Sequence, residues 1–246
     1  MLFFIRSKVV HVDCFTCRNT VYQNSSIQYS SHFFPEWWKK LDKSINLNDG
    51  LVNVDYPTMK SCQGFLDYFG NSLTIPLWSD LAVRVGPINS NKLSWKFSDA
   101  TTDCVIHPTF QRGEEYLPDK NYVHLKILSP WLLKCKDDIN FSFQGAFWNF
   151  KEPESVIIPP GILNFKYQSD TNINTFFTRE KQNKNIFFKF GQPLVQIRPY
   201  SERRLKIKTH LIDEKEFSNM HLPRISFGKT YKIFKNVSSS KCPMGF

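Results

Sequence analysis

The chain has 246 residues, of which 41% are hydrophobic and 15% aromatic, and its formal net charge at pH 7 is +10. This composition excludes an intrinsically disordered protein. No apolar run approaches the length of a membrane-spanning helix, and Met1–Ile5 is too short for a secretory signal, so we expect no membrane association. The length suits a single β-rich domain over residues 1–246, with residues 1–70 as N-terminal strands and helices packed on it and residues 236–246 as a tail.

The positive charge is concentrated toward the C-terminal end of the chain. Residues 1–178 contain equal numbers of basic and acidic side chains, whereas residues 179–246 contain 15 Lys or Arg and 5 Asp or Glu. A one-sided positive field favours a negatively charged partner, either an acidic protein surface or the backbone of a nucleic acid. The alternative is a solvated basic face that binds nothing.

The first 70 residues combine strand and helix patterns. Lys8–Phe15 and Thr20–Ser30 are rich in β-forming residues, and we predict a strand from each. Pro35 suits the first position of a short helix that displays Trp37 and Trp38. From Thr58, a candidate N-cap, apolar residues recur at helical spacing as far as Gly70, which predicts the clearest helix in the chain.

The middle of the chain reads as short strands separated by turns. Leu73–Val85 is a long strand pattern interrupted near Pro76 and Ser79, and Leu93–Phe97 is its expected hairpin partner. Residues 99–120 predict a long loop. Further strands are expected at His124–Leu128, Ile139–Phe150, Val156–Ile158, Ile162–Tyr167, Asn174–Thr178 and Ser226–Phe234, and a last short helix at Glu214–Met220. We therefore predict a mainly β protein, an antiparallel β-sandwich or jelly roll with two or three short helices.

The segment Ile186–Ile212 combines the clearest strand pattern with the densest charge. Leu205, Ile207, Thr209 and Leu211 alternate with Arg204, Lys206, Lys208 and His210. Successive side chains of a strand point to opposite faces, so this pattern predicts one face in the core and one basic face in solvent. With the runs Phe187–Phe190 and Val195–Ile197, we expect a meander of short antiparallel strands.

Two motifs bear on catalysis. His11-Val12-Asp13 matches two of the three ligands of an iron-binding facial triad, so a cupin-like or iron-dependent oxygenase that uses His11 and Asp13 is the enzymatic alternative. Cys14 and Cys17 have the spacing of zinc and redox pairs, but no second pair exists, and two buried thiols are the simpler interpretation. The six cysteines are scattered, as expected of reduced thiols in a cytosolic setting.

A whole-chain resemblance adds context to these patterns. The segments HVDCFT, FFPEWWKKL, MKSCQGFLDYF, IPLWSD, KILSPW, PPGILNFKYQ and GQPLVQIRPYSERRLKI lie between residues 11 and 207. Together they resemble an uncharacterised protein family encoded by marine tailed bacteriophages. The resemblance covers nearly all of residues 8–212 and implies a phage origin, but it brings no catalytic residue with it.

These observations lead to one hypothesis about function. We expect a non-enzymatic β-sandwich protein, a structural or assembly component of a virion, in the particle or the host cytoplasm. It would need no cofactor or metal and would belong to an oligomer or a larger assembly. It would dock onto an acidic protein surface, such as other virion proteins, through Arg198, Arg203, Arg204, Lys206 and Lys208.

Overall fold

The structure is a computed structural model that describes residues 9–48, 53–88, 90, 92–99, 103–108, 121–150 and 155–220. These residues form 17 strands and four α-helices. The helices are α1 (Asn19–Asn24), α2 (Glu36–Lys40), α3 (Gln63–Gly70) and α4 (Glu214–Met220). Among the described residues, no helix has both the length and the apolar character needed to cross a membrane.

The first nine strands are β1 (Val9–Thr16), β2 (Gln28–Tyr29), β3 (Ser44–Asn48), β4 (Asn53–Pro57), β5 (Leu73–Pro76), β6 (Leu81–Val85), β7 (Leu93–Phe97), β8 (Cys104–Ile106) and β9 (Tyr122–Ile127). The others are β10 (Leu132–Lys134), β11 (Phe141–Gly145), β12 (Val156–Ile157), β13 (Gly161–Leu163), β14 (Ile173–Thr178), β15 (Lys184–Phe188), β16 (Pro193–Pro199) and β17 (Arg204–Leu211). The predicted mainly β class with short helices is confirmed.

The strands form five sheets, in the orders β10-β1-β17, β13-β11-β16-β5-β2, β12-β14-β9-β8, β15-β6-β7 and β3-β4. All of their pairings are antiparallel except that of β1 with β17, which is parallel. Side chains from the four larger sheets meet in one hydrophobic cluster, which includes Val10, Ile75, Leu125 and Ile186. Trp131 is fully buried in it. Burial of this apolar surface is the main force that holds the sheets together.

Several local predictions are confirmed. The hairpin of β6 with β7 pairs Leu81 with Phe97 and Val85 with Leu93. Helix α2 follows Pro35, and α3 ends at Gly70 as expected. The predicted helix from Thr58 is divided, because Met59–Ser61 forms a 3₁₀ turn in which the Lys60 amide donates to the Thr58 hydroxyl. Helix α4 has the predicted bounds. The predicted strand Ser226–Phe234 and the tail lie outside the described residues.

The prediction of a strand over Thr20–Ser30 is wrong for its first half. Residues Asn19–Asn24 form α1, whose Val21 side chain is buried, and only Gln28–Tyr29 is extended. The hydroxyl groups of Ser25 and Ser26 donate to the carbonyls of Val21 and Tyr22 and close the helix. Packing of one buried valine thus overrides the β preference of its neighbours.

The predicted loop over residues 99–120 is also wrong in part. Cys104–Ile106 forms β8, which pairs with β9 through Cys104 with Ile127 and Ile106 with Leu125. The Cys104 side chain is buried in the core cluster. Residues 104–106 are too few and too polar to show a strand pattern in the sequence. Burial of the Cys104 side chain and backbone pairing with β9 make this segment a strand.

The segment Ile186–Ile212 is not a meander. Its three strands join three different sheets, because β15 pairs with β6, β16 lies between β11 and β5, and β17 pairs with β1. Gly191, with φ of 76°, makes the turn from β15 to β16 in a backbone conformation that favours glycine. The Gly191 amide donates to the Leu77 carbonyl at 2.7 Å, which anchors this turn after β5.

Candidate binding surface

The outward face of β17 carries the predicted row of cations. Arg204, Lys206 and Lys208 are exposed, whereas Leu205 between them is only 2% exposed. Ile207 is partly buried against the core cluster. The predicted alternation is therefore confirmed over most of the strand. The alternation does not extend to the end of the strand, because Leu211, which was expected to point inward, is exposed.

The parallel pairing with β1 determines which residues share this face. Arg204 lies beside Val9, Lys206 beside His11, and Lys208 beside Asp13. On the other side of β1, Lys134 of β10 lies beside the same Asp13. Side chains of registered neighbours point to the same side of a sheet. The cationic face is defined here as Arg204, Lys206, Lys208 and Lys134, and two of its members, Lys208 and Lys134, flank Asp13 from the two neighbouring strands.

The cations of this face are not neutralised by the described part of the chain. Among those residues, no Asp or Glu oxygen lies within 4.0 Å of the charged nitrogens of Arg204, Lys206 or Lys208. The Asp13 carboxylate pairs with His210 instead, with 2.7 Å between Oδ1 and Nε2. The face thus presents an excess of positive charge to solvent.

The other two arginines of the predicted set lie elsewhere. Arg198 is half-buried on β16, in register with Ser142 of β11, and so belongs to the five-stranded sheet. Arg203 precedes β17, and its Nη2 lies 2.8 Å from Oδ2 of Asp137. The structure does not bring all five residues into one row. Arg204, Lys206 and Lys208 share a face, and Lys134 is a neighbour that sequence analysis missed because only the β1–β10 pairing places it there.

The outer edge of β17 is partly closed by side chains. The amide of Leu205 donates to Oδ1 of Asn71 at 2.7 Å, and Nδ2 of the same asparagine donates to the Arg203 carbonyl at 3.0 Å. The Ile207 amide donates to the hydroxyl of Tyr29 at 3.4 Å. These groups occupy the backbone positions that an added strand would need. A partner would therefore contact the side chains of the cationic face and would not extend the sheet from Arg203 to Ile207.

The proposed iron ligands His11 and Asp13 also lie on the outward side of β1. His11 is exposed, and Asp13 is already bonded to His210. The described residues contain no group of three His, Cys, Asp or Glu side chains that could share a metal ion. In this part of the chain, the oxygenase hypothesis therefore rests on two ligands, one of which has a structural partner.

A cleft is formed by strands of other sheets. Its volume is about 510 Å³, and its lining includes His107, just after β8, Lys126 of β9, Phe143 of β11 and Asn174 of β14. Neither His11 nor Asp13 belongs to the lining. The His-x-Asp motif therefore does not contribute to this cleft.

The cysteine pair is separated by burial. Cys14 is fully buried on the core side of β1, and burial raises the pKa of its thiol far above the ordinary value. Burial also raises the pKa of Cys17, which is half-buried just after the strand. Neither cysteine forms a disulfide. Protonated thiols of this kind are poor nucleophiles and poor metal ligands.

Comparison with known proteins adds no further constraint. No protein-family model matches the chain, and no curated protein matches it significantly. The resemblance to a phage-encoded family therefore stays a prediction. The geometry of the cationic face is the observation on which a functional argument depends.

Proposed function

We propose that this protein is a non-enzymatic component of a phage particle or of its assembly, and that it docks onto an acidic protein surface through the cationic face. The single observation that carries this proposal is the row Arg204, Lys206 and Lys208. These side chains recur roughly every 6 to 7 Å along an exposed strand. A regular row of like charges costs stability through mutual repulsion, which an acidic partner relieves.

An acidic protein fits this face better than exposed nucleic-acid bases. Binding of single-stranded nucleic acid relies on aromatic side chains that stack on bases. Phe15, the aromatic residue of β1 on this face, stacks on His210 with ring centroids 4.7 Å apart. One face of the Phe15 ring is therefore covered by His210 and does not accept a base. Charge pairing with carboxylates, or with a phosphate backbone, is the chemistry that the face offers.

Charge reversal tests whether the face, and not the total charge, mediates binding. The test variant is Arg204→Glu with Lys206→Glu. The matched control is Arg84→Glu with Lys96→Glu, an exposed Arg and Lys on β6 and β7 in a different sheet. Both variants change the net charge equally. Binding to poly-L-glutamate and to a short DNA duplex is measured by biolayer interferometry at several salt concentrations.

The proposal expects the wild type to bind poly-L-glutamate, with affinity that falls as salt increases. The test variant should lose at least tenfold in affinity, and the control should change less than twofold. Equal losses of affinity in both variants would refute the proposal that binding depends on the cationic face. Tighter binding to the DNA duplex than to poly-L-glutamate would indicate that the partner is a nucleic-acid backbone and not an acidic protein. Virion membership is tested separately by mass spectrometry of purified particles, in which absence of the chain would contradict a structural role.

A further inference from the structure

The cleft described above is lined by strands of two sheets and has no part in the proposed docking. Its volume of about 510 Å³ lies within the range typical of ligand sites. Strands β8, β9 and β14 contribute the registered neighbours Val105, Lys126 and Asn174. Strands β11 and β13 contribute Phe143 and Leu163. None of the residues of the cationic face belongs to the described lining, so the cleft is a separate site.

A row of polar side chains lines the cleft along the segment that leads into β14. Every second position from 168 to 174 contributes one side chain, namely Gln168, Asp170, Asn172 and Asn174. The side chains between them, at positions 169, 171 and 173, are at most 4% exposed. Such alternation is typical of an extended chain, in which side chains on one face lie about 6 to 7 Å apart. The row therefore spans about 20 Å, and its members other than Asp170 are amides.

The hydrogen bonds of these amides leave their NH2 groups to a ligand. Oδ1 of Asn172 accepts from the Ser129 amide at 3.1 Å, and Oδ1 of Asn174 lies 3.1 Å from Nε2 of His124. Within the described residues, neither Nδ2 group forms a hydrogen bond, and the Gln168 side chain forms none either. A primary amide donates two hydrogen bonds through its nitrogen. The row thus offers donors at regular intervals on the wall of the cleft.

The spacing of the row matches the backbone of an extended peptide. Carbonyl groups on one edge of an extended chain recur at every second residue, and they are also about 6 to 7 Å apart. A peptide that lies along the row therefore accepts hydrogen bonds from Asn172 and Asn174 through successive carbonyls of one edge, whatever its sequence is. In peptide recognition of this kind, backbone hydrogen bonds supply affinity and pockets for alternate side chains supply specificity.

The apolar part of the described lining suits the side chains of a peptide better than the ring of a sugar. It is largely aliphatic, because Leu128, Ile158 and Leu163 belong to it. The C–H groups of a sugar pack on the negative face of an exposed aromatic ring. The phenylalanine of the lining, Phe143, is only 7% exposed. Apolar side chains at alternate positions of a peptide fit this surface through burial of aliphatic area.

We propose that the cleft binds an extended peptide segment of a partner protein, with the peptide backbone along the row from Gln168 to Asn174 and its alternate side chains on the aliphatic lining. The row has the length of about seven extended residues. The described lining contains one Lys and one Asp, Lys126 and Asp170, so its formal charges cancel. The cleft therefore selects a peptide without a large net charge. This ligand differs from the acidic surface that suits the cationic face.

A variant that fills the cleft is the first test. Gly161 belongs to the lining, no described atom lies within 4 Å of a Cβ built on it, and its φ lies outside the left-handed region. Gly161→Phe therefore places a ring in the cleft without a clash. The matched control is Gly64→Phe, at an exposed position of α3 where a Cβ also meets no described atom within 4 Å.

A second variant removes the donors of the row. Gln168→Glu with Asn172→Asp keeps each acceptor oxygen, including the acceptor of the Ser129 amide, and replaces the NH2 groups with oxygens that repel a peptide carbonyl. The matched control is Gln182→Glu with Asn183→Asp, two exposed residues just before β15 that change the net charge equally. Circular dichroism verifies that each variant is folded.

The probe is a library of random peptides of about nine residues displayed on yeast, selected on the wild-type full chain and depleted on Gly161→Phe. Enriched peptides should carry apolar residues at alternate positions. As synthetic fluorescent peptides, they should bind the wild type and both controls with equal affinity by fluorescence polarisation. Both cleft variants should lose at least tenfold in affinity. Hydrogen exchange of the complex should show protection within residues 161–174.

Two results would overturn the proposal. One is a selection that enriches no peptide over the background, and the other is an equal loss of affinity in a cleft variant and its control. Binding of the wild type, but not of Gly161→Phe, to a glycan array would assign the cleft to a saccharide and would also refute the peptide. Arg204→Glu with Lys206→Glu should bind the peptides as the wild type does, which separates failure of this inference from failure of the proposed docking function.

Discussion

Asp13 on β1 and His210 on β17 are joined by a hydrogen bond of 2.7 Å between Oδ1 and Nε2, although 197 positions separate them in the sequence. The ring of Phe15, two residues further along β1, stacks on the same imidazole. His210 is thus held by two side chains of the neighbouring strand. The carboxylate that a His-x-Asp motif would offer to iron is instead part of the contact that joins β1 to β17.

Replacing His210 with alanine should destabilise the protein. The variant loses the hydrogen bond and the stacking, and it leaves a half-buried carboxylate without its partner, so the free energy of unfolding should fall by about 1 to 2 kcal/mol. Urea denaturation measures this change. His11→Ala is the control, because His11 is exposed on the neighbouring strand β1, and it should change stability by less than about 0.5 kcal/mol.

Two variants of the His-x-Asp motif, Asp13→Asn and His11→Ala, distinguish a structural role from iron binding. Elemental analysis of purified protein should give the same metal content for the wild type, Asp13→Asn and His11→Ala. A stoichiometric metal that is lost from both variants would overturn the structural interpretation. It would favour the oxygenase hypothesis, because loss of a ligand typically abolishes binding at a facial triad.

The alternation of β17 could be predicted from the sequence because it is a local property. A strand with one face against the core needs an apolar residue at every second position, and Leu205 and Ile207 satisfy that need whatever strand lies beside them. The hairpin of β6 and β7 is predictable for the same reason, since its partners lie close together in the chain. Alternation within a strand and hairpins between neighbouring strands are therefore sufficient to predict the mainly β fold class.

The composition of the candidate site could not be predicted, because it depends on pairing between distant strands. Nothing in residues 204–211 indicates that their neighbour is β1 or that the pairing is parallel. Arg203 and Arg204 are adjacent in sequence, yet only Arg203 reaches Asp137. The exposure of Ile45 and Leu47 is likewise a property that only the structure shows, because it depends on which elements pack against β3.

Arg203 and Arg204 should therefore have separable effects. Arg203→Gln removes an ion pair that is partly exposed, so it should lower the free energy of unfolding by at most about 1 kcal/mol and leave binding to poly-L-glutamate nearly unchanged. Arg204→Gln should not lower stability, because it relieves repulsion within the row, and it should weaken binding. Thermal denaturation and biolayer interferometry on both variants check the two effects. A stronger loss of binding in Arg203→Gln would place the docking surface at the turn before β17.

Asn71 should be important for the edge of β17. Asn71→Ala removes the acceptor of the Leu205 amide and the donor to the Arg203 carbonyl, which should cost about 1 to 3 kcal/mol. Asn71→Asp keeps the acceptor alone and should have an intermediate effect. Asn185→Ala, at an exposed position of β15, is the control.

Asn71→Ala should also aggregate more readily than the wild type, because it exposes the backbone groups of a sheet edge, and light scattering measures this aggregation. Unchanged stability would show that water replaces the side chain without cost.

Cysteine labelling should follow burial. Cys62 is exposed, whereas Cys14 and Cys104 are buried. Burial raises the pKa of Cys104 to about 12 and that of Cys14 still higher, so both remain thiols at pH 8. N-ethylmaleimide should label Cys62 within minutes and these two only after unfolding in urea, as peptide mass spectrometry would show. Rapid labelling of Cys14 in the native protein would contradict the burial of its side chain on the core side of β1.

The same raised pKa values predict how stability depends on pH. Thiols of the unfolded chain ionise near their ordinary pKa of 9.0, whereas Cys14 and Cys104 keep their protons in the folded state until a higher pH. The unfolded state therefore binds fewer protons above pH 9, and the free energy of unfolding should fall as pH rises from there toward 12. Urea denaturation at pH 8 and pH 10.5 measures the loss. Cys104→Ala should show a smaller loss than the wild type, because it removes one of the groups responsible, and an equal loss would assign the effect to other residues.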